Sequence, residues 1–395
     1  MMTTHNAVEP MLGYLFQIRY ALCMLLETED EQALISIEKF DDIAYGDTAV
    51  QLKHHTAETG NLTNSSSDIW RTINVWIDMV KANQSLLPSI NFLILTTANA
   101  PEGSAAFFLK PQGDRDERRA FDILNKVANE SINRAHAKYY KNFREMDERL
   151  TLKIISKITV IDNTSNIIEV KKNIMSKLRY GSLPKYEDKI YERIEGWWYD
   201  IVISYLMSED KDLINQKSVR QKIAQYRDEY SEDNLPIDVS FLSEIDVDSL
   251  PNKEKTFCEQ LKLICVNNKS IKKAISDYHW AFVQRNNWVR DELIYIEELD
   301  KYSDKLIDEW ERHFFQIEDR LETYSSEELE NKKIEFGQEL YHNIQDKNIK
   351  IRERCSEQFI MRGTYHILAN DLKVGWHKDF KTKLNQLFEY KEEKI

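Results

Sequence analysis

The stretch IEKFDDIAYGDTAVQLKHH, residues 37–55, decides the fold that we predict for this chain. With the three residues before it, the stretch holds apolar runs typical of two strands, about residues 34–40 and 49–54. Between the strands stands Gly46-Asp47, a pair that favours a tight hairpin turn. A helix with an apolar stripe is predicted before them, at about residues 10–27. The order helix–strand–strand is therefore the start of a mixed α and β domain.

Polar side chains of this hairpin are expected to meet on one face. Side chains alternate between the two faces of a strand, so Gln51 and Lys53 point the same way, and the hairpin brings Asp42 close to them. Two oxygen ligands beside an ammonium suit one Mg²⁺ and one activated water next to a phosphodiester. We predict that Asp42 and Gln51 bind the metal and that the backbone carbonyl of Leu52 is a third ligand. Lys53 would be catalytic.

Three further residues are candidates for assisting this site. Gln17 on the first helix is placed behind it. Glu38 shares a face with Asp42 if the strand is regular, whereas Asp41 does not. The spacing of Asp42 and the Gln-x-Lys triplet is weak evidence alone, because a chain with 31% charged residues contains such spacings by chance. The specificity comes from their combination with the preceding helix.

The rest of the chain divides into an α+β part and a mostly helical part. The pattern predicts a helix, a buried strand, a helix, a strand and a helix, at about residues 69–82, 90–96, 114–148, 152–161 and 167–179. Gly181-Ser182-Leu183-Pro184 is typical of a domain boundary. We therefore predict a mixed-sheet domain at residues 1–183 and a helical domain for assembly or partner binding at residues 184–395.

Composition and charge indicate where the protein acts and which partners it can bind. The chain has 395 residues, four widely spaced cysteines and a net charge of −13. Few, dispersed cysteines are typical of reduced thiols, and no segment approaches the length of a membrane span, so we expect a cytoplasmic protein with no membrane contact. The acidity argues against a constitutive nucleic-acid binder. Residues 111–190, with 17 Lys and Arg against 12 Asp and Glu, are the one candidate for a phosphate-tracking surface.

Residues 8–180 resemble the restriction-endonuclease-like PD-(D/E)xK fold in its Gln-x-Lys variant. The similarity is carried by GYLFQ at 13–17, EKFDDI at 38–43, VQLKH at 50–54 and LTNSSSDIWRTINVW at 62–76. More narrowly, these motifs resemble the nuclease domain of CD-NTase-associated double-stranded DNA endonucleases, which is also the effector of Lamassu-type antiphage systems. The resemblance implies metal binding by Asp42 and Gln51 and catalysis by Lys53, and it adds Gln17 to the site.

The C-terminal half has a fainter resemblance to partners of SMC-like ATPases in ABC-three-component defence systems. RGTYHILA at 362–369 and VGWH at 374–377 carry it. Together the resemblances imply Mg²⁺ or Mn²⁺ as cofactor and double-stranded DNA as substrate. They also imply a complex with an SMC-like ATPase and a small bridging subunit. DNA cleavage would follow release or homo-oligomerisation of the nuclease.

Two alternatives remain open from the sequence. Gln51 replaces the usual acidic ligand, which removes one negative charge, so the chain is equally consistent with a catalytically inactive nuclease fold. Such a protein would serve as a scaffold or DNA-docking subunit. The second alternative is a purely helical interaction protein, which a mixed sheet in residues 1–180 would exclude.

Overall fold

The fold is described from a computed structural model that covers residues 8–38, 42–55, 60–208, 214–238 and 255–392. The chain forms two compact units, Met1–Arg227 and Asp228–Ile395. Within the described residues, no helix is long and apolar enough to cross a membrane. All four cysteines are free thiols, and only Cys265 is exposed.

The N-terminal unit is built on six strands and eight helices of the described chain. The strands are β1 Leu34–Ile37, β2 Ile43–Tyr45, β3 Thr48–Lys53, β4 Asn91–Thr96, β5 Ile158–Ile161 and β6 Ile214–Asn215. The helices are α1 Val8–Glu27, α2 Ser67–Ala82, α3 Glu117–Glu130, α4 Ala137–Glu145, α5 Glu148–Ser156, α6 Ile167–Arg179, α7 Glu187–Met207 and α8 Gln216–Glu229.

The strands form one mixed sheet in the order β5-β4-β3-β2-β1-β6. β3 pairs in parallel with β4, and β4 in parallel with β5, whereas the other neighbours are antiparallel. This sheet confirms the predicted α+β class. It also excludes the purely helical alternative for the N-terminal region.

Helices cover both faces of the sheet. On one face, α2 to α5 enclose an apolar core in which Trp76 stacks on Phe92 of β4, with ring centroids 4.6 Å apart. Trp70 lies in the same core and meets Tyr140 edge to face. Trp76 therefore braces the sheet directly, whereas Trp70 joins α2 to α4. On the other face, α1 packs against β1 and β3, and α6 and α7 pack on α1.

The first predicted strand is wrong in its extent. β1 ends at Ile37, and Glu38 adopts a left-handed backbone conformation with φ of 56°. The Glu38 N–H then donates to the carbonyl of Asp42 at 3.1 Å, so the chain turns instead of continuing as one strand. Asp42 consequently lies directly before β2 and does not end β1. The expectation that Glu38 and Asp42 share a strand face is wrong for the same reason.

The strand predicted at 152–161 is also wrong in part. Residues 148–156 form α5, and only Ile158–Ile161 is a strand. The side chain of Asp147 accepts a hydrogen bond from the Leu150 N–H and so caps α5. The apolar residues of this segment fit the period of a helix and that of a strand, and the cap at Asp147 favours the helix.

The predicted boundary at 183/184 lies inside the N-terminal unit, which extends to Arg227. Two features bind the intervening segment to that unit. The fully buried Trp198 of α7 donates its indole N–H to the Ile18 carbonyl of α1 at 2.7 Å. β6 pairs with β1, with Ile35 opposite Ile214.

The C-terminal unit is helical in the residues described. It comprises α9 Thr256–Leu263, α10 Asn268–Arg290, α11 Ile296–Leu321, α12 Ser326–Gln345, α13 Gln358–Asn370 and α14 Phe380–Glu392. Both sequence motifs singled out in this half lie in its core. Tyr365 and His366 of α13 are fully buried, as is Trp376 in the loop before α14. The buried Gln260 amide donates to the carbonyls of Ala369 and Val374 and so ties the two motifs together.

Candidate functional site

The hairpin of β2 and β3 places Asp42 beside the Gln-x-Lys triplet. The two-residue turn is Gly46-Asp47, as expected, and Gly46 has the positive φ of 58° that such a turn requires. The last pair of the β2–β3 ladder is Ile43 and Val50. One residue beyond it, the Asp42 carboxylate accepts a hydrogen bond from the Leu52 N–H at 2.8 Å. This contact fixes the carboxylate just before the start of β2.

The same contact orients the backbone carbonyl of Leu52. In an antiparallel strand, the N–H and C=O of one residue point to the same side of the strand. Because the Leu52 N–H reaches Asp42, its carbonyl also faces the edge at which β2 begins. Asp42 and the Leu52 carbonyl thus present oxygen atoms along one edge.

Gln51 lies on the face of β3 that α2 covers. Only 6% of this residue is exposed, and its Oε1 accepts from the Thr72 hydroxyl at 3.5 Å. Ala49, two residues earlier on the same face, belongs to the core beneath α2. The predicted alternation is therefore present, and Lys53 follows Gln51 on this face.

Lys53 has charged neighbours that the sequence did not predict as site residues. The carboxylate of Asp68, on the first turn of α2, lies 2.9 Å from the His55 Nε2, and the two form an ion pair when the imidazole is protonated. Burial raises the pKa of Asp68, but the His55 hydrogen bond and the positive charge of Lys53 outweigh it and hold the pKa below its usual value. The Asp68 charge therefore lies near Lys53. Asp68 and Thr72, one helical turn apart, line this side of the hairpin.

No local signal in the sequence marks the His55–Asp68 contact. Ser66 is the N-cap residue of α2, and its hydroxyl accepts from the Asp68 N–H. That position leaves the Asp68 carboxylate available to His55. The His55 side chain is more than a third exposed.

Gln17 is on the opposite side of the sheet from Gln51. The neighbouring Phe16 packs against the His54 ring, with centroids 4.8 Å apart, so α1 contacts β3 from the face away from α2. Gln17 forms no hydrogen bond with Asp42, Gln51 or Lys53 among the described contacts. Glu38 lies at the turn that leads to Asp42, and Asp41 lies outside the described residues.

The donor atoms fit a hard divalent cation. A carboxylate, an amide oxygen and a backbone carbonyl are all oxygen ligands, and Mg²⁺ in proteins commonly uses one or two carboxylates plus water and substrate phosphate. The set contains one carboxylate. Within the described ranges there is no group of three or more His, Cys, Asp and Glu placed to hold a metal ion. A cation here would depend on the neutral oxygens of Gln51 and Leu52.

The basic segment 111–190 contributes less free positive charge than its composition indicates. Arg115 donates to the carbonyls of Leu109, Ser156 and Ile158, and Arg144 donates to that of Ala128. These arginines hold loops and helix ends. Further cations of the segment are balanced locally by acidic neighbours: Arg118 by Asp122 and Glu148, and Lys141 by Glu145.

Residues 257–384 match the family model of C-terminal domain 7 of the ABC-three component systems. The match covers α10 to α13 entirely, and parts of α9 and α14. No curated protein matches the chain. The C-terminal helical unit is thus similar to a domain of ABC-three component systems, and the match supports this protein as a component of such a system.

Proposed function

We propose that this chain is a metal-dependent DNA endonuclease and the effector of a bacterial antiphage complex. The observation that carries the proposal is the docking of the Asp42 carboxylate on the Leu52 N–H, beside Gln51 and Lys53 on the adjacent strand. One carboxylate, two neutral oxygens and one ammonium at a hairpin edge can hold a divalent cation and bind a phosphate oxygen, as metal-assisted hydrolysis of a phosphodiester uses.

Each residue has a distinct part in this proposal. Asp42, Gln51 and the Leu52 carbonyl would hold Mg²⁺ or Mn²⁺, which when bound would neutralise phosphate charge and acidify a water molecule. Lys53 would bind a non-bridging phosphate oxygen and orient the water. Asp68 would keep the Lys53 ammonium directed along the α2 face, because opposite charges in a partly buried site attract strongly.

The C-terminal unit supports a role in a multi-component assembly. Its similarity to a domain of ABC-three component systems leads us to propose an SMC-like ATPase and a small bridging subunit as partners. A net charge of −13 and the local pairing of basic residues weaken contact with DNA by the isolated chain. Release or homo-oligomerisation would assemble a groove for double-stranded DNA and start cleavage.

The test is cleavage of plasmid DNA by the purified chain at several protein concentrations, with and without Mg²⁺. We expect cleavage that requires the metal and falls by roughly 100-fold or more in Lys53→Ala, because the group that binds the phosphate oxygen and orients the water is lost. Lys126→Ala, an exposed lysine on α3, is the matched control and should cleave like the unmodified chain. Full activity in Lys53→Ala would refute the assignment.

A second candidate function is a catalytically inactive scaffold with a nuclease fold. It is favoured by the single carboxylate among the proposed ligands and by the buried hydrogen bond that engages Gln51. If the chain and its complex with the ATPase bind DNA but neither cleaves it with Mg²⁺ or Mn²⁺, the scaffold is correct. Cleavage by any oligomeric form excludes it.

A further inference from the structure

A cavity of about 460 Å³ opens in the N-terminal unit, and it shares no residue with the hairpin site. Its volume is within the range of about 300–1,000 Å³ that is typical of small-molecule sites. It lies among the end of α1, the end of α6 and one side of α8. The residues that define its chemistry are Leu26, Lys177, Gln216, Arg220, Ile223 and Arg227.

The wall of the cavity contains a buried polar group that lacks a partner. Gln216, the first residue of α8, is 4% exposed, and its Oε1 accepts no hydrogen bond from any described residue. The other end of the amide is weakly engaged, since Nε2 donates to the Thr28 carbonyl at 3.5 Å. Buried acceptors normally receive a hydrogen bond, so this oxygen is available to an N–H or O–H donor of a ligand.

The cavity also carries unbalanced positive charge. Lys177 has no ion-pair partner in the described chain. Arg227 donates Nη2 to the Leu178 carbonyl at 2.9 Å and Nε to the Ser182 hydroxyl at 3.3 Å, which are neutral acceptors. Burial of its guanidinium lowers the pKa of Arg227, since no described carboxylate offsets the lost solvation.

Two acidic residues reduce this charge without cancelling it. Glu31 pairs with Arg220 at 2.6 Å outside the cavity wall, and Glu29 lies in the wall itself. Three cations and one carboxylate therefore line the space. Leu26, Ile223 and Ala224 supply an apolar surface between the charged groups.

We propose that this cavity binds a small organic phosphate with the chemistry of a mononucleotide. The phosphate would lie between Lys177 and Arg227, since charge-assisted hydrogen bonds to phosphate are the strong ones. The ring would rest on Leu26 and Ile223, and an amino or hydroxyl group would donate to Gln216. Such a ligand satisfies the buried acceptor, the unbalanced cations and the apolar wall together.

The test is calorimetric titration of the full chain with AMP, GMP, CMP and UMP, with inorganic phosphate and adenosine as separate probes. We expect saturable binding of at least one mononucleotide, with affinity at least tenfold above that of phosphate or adenosine. Lys177→Gln should weaken binding about tenfold, which corresponds to the loss of one charge-assisted contact. Gln216→Leu should weaken it by a similar factor, because the donor of the ligand loses its acceptor.

Lys172→Gln is the matched control, since Lys172 is exposed on the same helix and does not line the cavity. Its affinity should equal that of the unmodified chain. Equal affinity for phosphate and the mononucleotides would show that the cavity binds anions without recognising the nucleoside, and it would overturn the proposal. So would an absence of saturable binding up to roughly 1 mM, the weak end of specific affinity. The assay contains no DNA, so its outcome is independent of nuclease activity.

Discussion

Asp42 stands where strand pairing between β2 and β3 stops, and its carboxylate takes the place of the next backbone acceptor. The Leu52 N–H that would otherwise continue the ladder donates to this carboxylate. One side chain therefore ends the hairpin and places a negative charge next to Gln51 and Lys53. Its structural and chemical roles can be separated by choosing substitutions that keep or remove the acceptor.

Asp42→Asn keeps a side-chain oxygen for the Leu52 N–H but removes the charge, whereas Asp42→Ala removes both. We expect Asp42→Ala to lower the free energy of unfolding by about 1–3 kcal/mol and Asp42→Asn by less than about 0.5 kcal/mol. Both variants should lose DNA cleavage, because neither retains the proposed metal-binding carboxylate. Urea unfolding and plasmid cleavage measure the two effects. An Asp42→Asn variant that cleaves normally would remove Asp42 from the metal site.

The residue pattern of the hairpin could be predicted because it depends only on strand parity and on a local turn. Gln51 and Lys53 share a face in any strand that contains both. The His55–Asp68 contact could not be predicted, because it joins a strand end to a helix through tertiary packing. The position of Gln17 depends likewise on which sheet face α1 covers, and periodicity does not specify that.

At the scale of elements, apolar periodicity predicted which segments are helices better than it predicted where strands begin and end. β1 is shorter than predicted because Glu38 leaves the β region, although its neighbours in sequence are good strand residues. The segment that contains α5 fits both periods, and its cap at Asp147 decides the outcome. In both cases one residue at the boundary of the element, Glu38 or Asp147, decides the structure against the apolar pattern of the segment.

The packing of α13 against α10 depends on one glycine. A Cβ added at Gly363 would lie 2.0 Å from the Asp277 carbonyl oxygen and 2.5 Å from the Ala281 Cβ. Since backbone atoms of a packed helix cannot retreat cheaply, Gly363→Ala should destabilise the protein by about 1–3 kcal/mol or more. Thermal or urea unfolding of the full chain measures this loss.

Gly196 provides the control for that substitution. It lies in the interior of α7, and outside its own helix turn an added Cβ would meet no atom within 4 Å. Because alanine is the better helix former, Gly196→Ala should stabilise the protein by about 0.5–1 kcal/mol. If Gly363→Ala were as stable as Gly196→Ala, the close approach of α10 and α13 would be wrong.

At the scale of the whole molecule, the two units divide later in the sequence than local signals indicate. Gly181-Ser182-Leu183-Pro184 is a turn, and Gly181 does adopt a positive φ of 85°. The turn does not end the unit, because α7, the helix that follows, packs against α1. Arg19 of α1 pairs with Glu195 of α7 at 2.6 Å. A domain boundary is a property of tertiary contacts, so turn residues alone predict it poorly.

Two fragments of the chain test where the N-terminal unit ends. A fragment of residues 1–227 retains α7, β6 and nearly all of α8, and it should unfold in one cooperative urea transition.

A fragment of residues 1–183 loses Trp198 from the core and the β6 partner of β1. Removing one buried aromatic side chain costs about 3–5 kcal/mol, a large part of a typical stability of about 5–15 kcal/mol. We therefore expect the shorter fragment to aggregate or to lose its near-ultraviolet circular dichroism, because the exposed edge of β1 also becomes free to pair with other chains. Equal cooperativity in the two fragments would place the boundary at residue 183.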